Sequence, residues 1–226
     1  MKDLLQKIES LYPNEANLKE FCKIFLGAMS PAMIDSFEES ALISFLKERF
    51  DFFKASLKKD GEFRVTVLPK DQKIALDWSY PDAAYSMDSI ENIIKLMGAR
   101  VYRRVFRSIG VKSEKGELTS VHLAKGKEKR NVIIYMELYP FHQKGMVEDL
   151  SERLRVNAQG MSQAIKDAPK MIEVLKSLVP EIKQNNILSP DEINEWVDFA
   201  KWMENNFFFM GYSAFDKDKD IHTSGI

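Results

Sequence analysis

The sequence predicts an α+β protein built on a ferredoxin-like antiparallel sheet that carries two helices, with helical segments before and after it. Three observations lead there. At Glu62 the apolar residues change from a helical to an alternating period. The stretch Trp78 to Arg107 then holds an extended run, a turn, an amphipathic helix and a second extended run, the first half of a split βαβ unit. Finally, the elements β, α, β, β, α follow one another between residues 73 and 166, and one further strand in the sheet would complete a ferredoxin-like layer.

Residues 1–60 read as an N-terminal helical segment. Leu4, Leu5, Ile8 and Leu11, then Leu18, Phe21 and Phe25, mark two short helices broken at Pro13-Asn14. Ser30-Pro31 opens a longer helix, in which Phe37, Ala41, Leu42, Phe45, Leu46, Phe50, Phe53 and Leu57 keep a helical period from Met33 to about Lys58. Its aromatic side chains are expected to pack against the protein itself or a partner rather than to hold a cofactor.

Residues 61–168 carry the sheet. Phe63, Val65 and Val67 alternate with Arg64 and Thr66, and after Pro69 the run Lys73 to Trp78 does the same. In the next helix Met87, Ile90, Ile94 and Met97 share one face, while Glu91, Asn92 and Lys95 turn away. Pro81 and Asp82 mark the turn before it, Ser86 or Asp82 is placed to cap it, and Gly98 suits a left-handed end. Arg100 to Ile109 is a second strand, and Glu114-Lys115-Gly116-Glu117 turns it into Leu118 to Leu123. Val132, Ile134, Met136 and Leu138, with Ile133, Tyr135 and Tyr139 opposite, mark a central strand.

A helix follows from Gly145 to about Val179, which Pro169 is expected to break. Residues 169–226 then read as a helical linker and the start of a strand-containing module. Ser189-Pro190-Asp191-Glu192 has the order of an N-cap, a first-turn proline and acids at the positive end of a helix dipole. That helix runs to about Asn205, Phe207 to Phe215 has the composition of a strand, and the tail to Ile226 holds no finished element.

Composition narrows the classes of function. Thirty-three basic residues against 34 acidic leave a formal net charge of -1, so no overall field draws nucleic acid or an anionic membrane. Cys22 is the sole cysteine, on an apolar face, and reads as structural. With no paired cysteines, no signal-peptide run and no spanning length, a cytoplasmic protein without membrane partners is expected. No phosphate-cradling glycine loop or nucleophile elbow occurs, and His122, His142 and His222 lack metal-ligand spacing. No catalytic, cofactor-binding or metal residue is therefore assigned in this chain. Arg100, Arg103, Arg104 and Arg107, with Tyr102 and Phe106, form one basic and aromatic cluster, read as an interface or anion patch. Single-stranded RNA is the less favoured alternative there, because the RNA-recognition octapeptide is missing.

One stretch, Phe199-Ala200-Lys201-Trp202-Met203-Glu204-Asn205-Asn206-Phe207-Phe208-Phe209-Met210-Gly211-Tyr212, resembles FLxWLxxxxFxFLGY of the large NAD-specific glutamate dehydrogenases of bacteria. Asp88-Ser89-Ile90 resembles that family's DSV at the start of its first ACT-like helix, and Phe63 to Pro69 resembles its strand ending in Asn-Pro. Arg107 and Gly116-Glu117-Leu118 resemble its arginine and Gly-x-Leu hairpin, and order and spacing agree from about residue 34 to 215. The family's proline at the position of Ala84 is replaced by Pro81, and Arg103-Arg104 stands where it has a histidine.

The resemblance implies an ACT-like domain over 61–168 within a non-catalytic regulatory or assembly segment of a much longer oligomeric enzyme, joined to the rest of the glutamate dehydrogenase chain. NAD would belong to a domain downstream. It further implies an amino-acid effector at the turn formed by Tyr80, Asp82, Ala84, Tyr85 and Ser86, where helix N–H groups receive a carboxylate. A free-standing amino-acid sensor of the same fold is the alternative.

Overall fold

The computed structural model describes the chain apart from Met1, Asp60, Ala84, Tyr85, Lys115, Gly116, Lys127, His142, Phe208, Lys217, Asp218 and Ile226, with backbone alone from Ala214 onward. Its contacts divide the chain into two units, residues 1–82 with 87–155, and residues 83–86 with 156–226. The first unit ends at Arg155, within the helix that follows the sheet, and it takes in the N-terminal helices together with the sheet.

Four helices precede the sheet: α1 (Lys2–Leu11), α2 (Leu18–Leu26), α3 (Pro31–Asp35) and α4 (Glu39–Leu57). The single helix expected from Met33 to Lys58 is therefore interrupted. Ser30 caps α3 by accepting from the Met33 N–H, and the Ser36 hydroxyl ends it by donating to the Met33 carbonyl at 2.7 Å. The chain then re-enters a helix at Glu39.

The strands are β1 (Glu62–Val67) and β2 (Ile74–Pro81), then, after α5 (Ser86–Leu96), β3 (Val101–Glu114), β4 (Glu117–Leu123) and β5 (Arg130–Leu138). They form one antiparallel sheet in the order β1-β2-β5-β3-β4. β5 is central, in agreement with its alternation. Since β2 and β3 both run antiparallel to β5, they are parallel to each other with α5 as the connection, which is the split βαβ unit. β1 supplies the further strand at the edge beside β2. The fold of this unit is α+β and ferredoxin-like.

Period-two alternation gives the sheet two buried faces. On one, Ala75, Val105, Ile109, Val111, Val121, Ile133 and Tyr135 join a single core with α1, α2 and α4. Phe21 sits in its midst, with the rings of Phe25, Phe50 and Phe53 centred 5.8, 5.3 and 5.4 Å away. The opposite face presents Leu76, Trp78, Ile134 and Met136, all closed to solvent. Ile90 and Ile94 of α5 and Leu150 and Leu154, in the first turns of α6 (Met146–Lys183), are closed as well, which assigns α5 and that start of α6 to the second face. Gly98, at φ +67°, takes the left-handed position after α5.

α6 continues unbroken through Pro169 and Pro180 over 38 residues, contrary to the expected break. Each proline deletes one N–H donor, a local loss of about 3 kcal/mol that a long helix tolerates. Next comes α7 (Pro190–Asn206), which begins with a complete capping box: Ser189 accepts from the Glu192 N–H, and the Glu192 carboxylate accepts from the Ser189 N–H. The strand expected from Phe207 starts at Gly211, as β6 (Gly211–Asp216), and the tail completes an antiparallel hairpin with β7 (Lys219–Gly225). Among the described residues no helix is long and apolar enough to cross a membrane.

Candidate functional site

At the turn expected to take an effector, the described side chains serve the fold. The Tyr80 ring lies tilted against Trp78 with centroids 4.5 Å apart, and its hydroxyl is held above its ordinary pKa by burial and by the charge of Glu62. Asp82 accepts from Ser108 Oγ and pairs with Arg130 Nε, both at 2.7 Å, so its carboxylate ties β3 and β5 to the end of β2. Ser86 lies inside α5, and its hydroxyl donates to the Ala83 carbonyl at 2.9 Å. Ala84 and Tyr85 lie outside the described residues.

The four arginines do not gather into one patch, because alternation along β3 sends them apart. Arg103 and Arg107 lie on the face of the N-terminal helices, where Arg107 donates to the Gly27 carbonyl at 2.6 Å. Arg104 lies on the other face, ion-paired with Glu91 of α5. Arg100 stacks over the Tyr139 ring at 5.1 Å.

In the second unit, α7 and the residue that follows it display a series of aromatic side chains to solvent. Trp196, Phe199 and Trp202 recur every three residues along α7, and each is about half exposed. Their rings meet in series with Phe207, at centroid separations of 6.0, 5.8 and 5.1 Å.

A further arrangement lies between α4 and the sheet. Register places Arg64 opposite Asp77, Asp77 opposite Tyr135 and Glu137 opposite Arg103, all on the face below α4. They line a cleft of about 410 Å³, with Phe37, Ala41, Phe45, Glu48, Arg49 and Leu68 among its other walls. Two guanidiniums and two carboxylates close a ring within it. Arg64 Nη2 is 2.7 Å from Asp77 Oδ2 and 2.8 Å from Glu48 Oε1, and Arg49 joins Glu48 at 2.6 Å and Asp77 at 3.2 Å.

Beside that ring, Glu137 Oε1 accepts from both Arg103 Nη2 and the Tyr135 hydroxyl at 2.6 Å. The Arg49 guanidinium is sandwiched by aromatics, 4.1 Å from the Phe45 centroid and 4.6 Å from that of Tyr135. Burial, then the hydrogen bond to Glu137 and its charge, push the Tyr135 phenol far above its ordinary pKa, so it remains a donor. Burial acts to lower the pKa of Arg64, but Asp77 and then Glu48 more than offset this and raise it.

Asp77 and Glu137 are only 2% exposed, and sequence reasoning missed both. The available signal was a lone carboxylate within each of two otherwise apolar runs, IALDWSY and NVIIYMEL.

Among the described residues, no group of three or more His, Cys, Asp and Glu side chains is arranged to hold a metal ion. His122 instead pairs with Glu128 at 2.8 Å. Comparison with known proteins adds no family: no protein-family model matches the chain, and no curated protein matches it.

Proposed function

We propose that this chain is a non-catalytic regulatory or assembly segment, the N-terminal ACT-like part of a large NAD-dependent glutamate dehydrogenase. The parent enzyme would convert L-glutamate, NAD+ and water to 2-oxoglutarate, ammonium and NADH in a domain downstream. The reading rests on the ordered sequence resemblance and on the split βαβ unit of β2, α5 and β3 around β5. The observation that carries the assembly role is the exposed series Trp196, Phe199, Trp202 and Phe207, because large aromatics left in solvent mark surfaces that other chains cover.

Light scattering tests this directly. The pure chain is expected to self-associate, and replacing Trp196, Phe199 and Trp202 by serine is expected to leave a monomer with the far-UV spectrum of the original. A monomeric parent chain would remove the assembly role. The pure chain is also expected not to reduce NAD with glutamate, and turnover would overturn the non-catalytic reading. Calorimetry with glutamate, aspartate, arginine and branched-chain amino acids tests an effector at the Tyr80 to Ser86 turn. A reading frame that stops at Ile226 would favour the free-standing sensor, whereas a dinucleotide-binding domain beyond it would support the longer enzyme.

A further inference from the structure

The exposed face of α7 carries charge as well as rings. Glu195 precedes Phe199 by four residues and Trp202 by seven, so it stands on the aromatic stripe itself. Asp191 lies four residues before Glu195, and Asp198 four before Trp202, which puts both along the same face. Asp191 and Glu195 are exposed and enter no ion pair among the described residues. Lys201, the one cation of the helix, is taken by Asp198 at 3.2 Å.

These carboxylates decide what can cover the stripe. A second copy that laid its own α7 there would set like charges against each other, which costs binding. The complement is a surface that is aromatic and cationic, since a guanidinium or ammonium both pairs with a carboxylate and stacks on an indole.

The first unit carries such a surface at one end of its sheet. A hollow of about 290 Å³ opens between the end of α5, the start of β3 and the stretch from β5 to α6. Met97, Arg100, Tyr139, Phe141 and Met146 are among its walls, and no described carboxylate lines it. The Arg100 guanidinium lies over the Tyr139 ring at 5.1 Å, and the Tyr102 ring meets Tyr139 edge-on with centroids 5.5 Å apart. Tyr102 and Tyr139 are 47% and 41% exposed. Arg100 and Lys144, the neighbour of the lining residue Gln143, are exposed and enter no ion pair among the described residues.

We propose that α7 of one copy docks on the Arg100–Tyr139 surface of a second copy, its carboxylates meeting Arg100 and Lys144 and its indoles meeting Tyr102 and Tyr139. The contact is heterologous, because each copy offers one face of each kind. It rests on the assembly reading of α7 and names the surface that covers it.

The test is sedimentation velocity on the full chain and on two variants, each lacking one face. The first combines Trp196→Ser, Phe199→Ser and Trp202→Ser; the second combines Arg100→Glu and Lys144→Glu, two exposed positions outside any described ion pair. Each variant alone is expected to be monomeric at concentrations where the parent associates. Mixed, they are expected to form a 1:1 complex, because the first keeps the Arg100 surface and the second keeps α7. Glu195→Arg alone is expected to weaken self-association about tenfold, through repulsion from Arg100 and Lys144. Should the serine variant lose its far-UV spectrum, Glu195→Arg takes its place in the mixture.

A parent that associates while the Arg100→Glu, Lys144→Glu variant associates equally well would overturn the proposal and leave the assembly reading standing, as would folded monomeric variants that fail to combine. Unchanged association in Glu195→Arg would do the same. A monomeric parent would remove both readings.

Discussion

Arg49 of α4 and Asp77 of β2 meet across the helix–sheet interface with Nε and Oδ1 3.2 Å apart, and neither side chain exposes more than 6% of its surface. The pair joins the N-terminal helices to the middle of the sheet, and its energetics follow from where it lies. Removing one charge leaves the other buried and uncompensated. Asp77→Ala, which strands Arg49 and half of the pairing of Arg64, is expected to cost about 3–5 kcal/mol in urea unfolding. Combining Asp77→Leu with Arg49→Met is expected to cost less than Asp77→Ala alone, because apolar replacement of both partners leaves no orphaned charge. A single-variant loss below about 1 kcal/mol would show that water already reaches the pair.

Two glycines with positive φ separate backbone strain from crowding. At Gly98, φ +67°, an added Cβ meets nothing within 4 Å, so Gly98→Ala is expected to cost only the left-handed penalty, about 1–2 kcal/mol. At Gly61, φ +125°, the Cβ would fall 2.1 Å from Cδ1 of the half-buried Tyr80 ring. Gly61→Ala is expected to combine about 1–3 kcal/mol of backbone strain with about 1–3 kcal/mol of overpacking. Equal thermal midpoints for the two variants would contradict this ranking.

Cys22 is fully buried among phenylalanines, and desolvation pushes its thiol up to about 12. Since the thiolate is the reactive form, an aromatic disulfide reagent is expected not to label the folded chain at pH 8. Labelling should appear in urea together with the loss of tertiary signal. Rapid labelling in native buffer would mean that the α2–α4 core opens locally.

Acid should weaken the first unit through carboxylates held below their ordinary values. The hydrogen bond from Lys54, with the charges of Lys54 and Lys47, lowers Glu15 from 4.5 against an opposing effect of burial. The hydrogen bond to His122, then that from the Lys125 N–H, lowers Glu128 from the same value. A depressed folded-state pKa gives stability that is complete above the unfolded value and is lost as pH falls through the folded one. Stability is thus expected to hold near neutrality and to decline below about pH 4.5, with a shallower decline in Glu15→Gln; an identical slope in that variant would remove Glu15 from the account.

The elements were legible wherever a period and its punctuation agreed. Ile90 and Ile94 on one face of α5 with Gly98 at its end, the central placing of β5, and the Ser189 cap of α7 each follow from a pattern within a dozen residues or so. Failures occurred where a local rule met a longer structure. Pro169 sits inside α6 because one lost hydrogen bond does not end a 38-residue helix, and the tail became a strand because Gly211 to Asp216 offered it a partner. The break between α3 and α4 turned on the Ser36 hydroxyl, which no apolar period records.

By itself the sequence determined that the chain is α+β, that α5 connects two strands of one sheet, and that β5 lies at its centre, since these depend on the order and period of nearby residues. The tertiary structure alone decided that Arg103 and Arg104 part to opposite faces, that the first helices share their core with the sheet, and that Glu48, Arg49, Arg64, Asp77, Arg103 and Glu137 converge on one cleft. Those six residues come from α4 and four strands, spread from position 48 to 137. Helical period and strand alternation fix which way each side chain points from its own element, but which elements meet is set by pairing between strands distant in sequence.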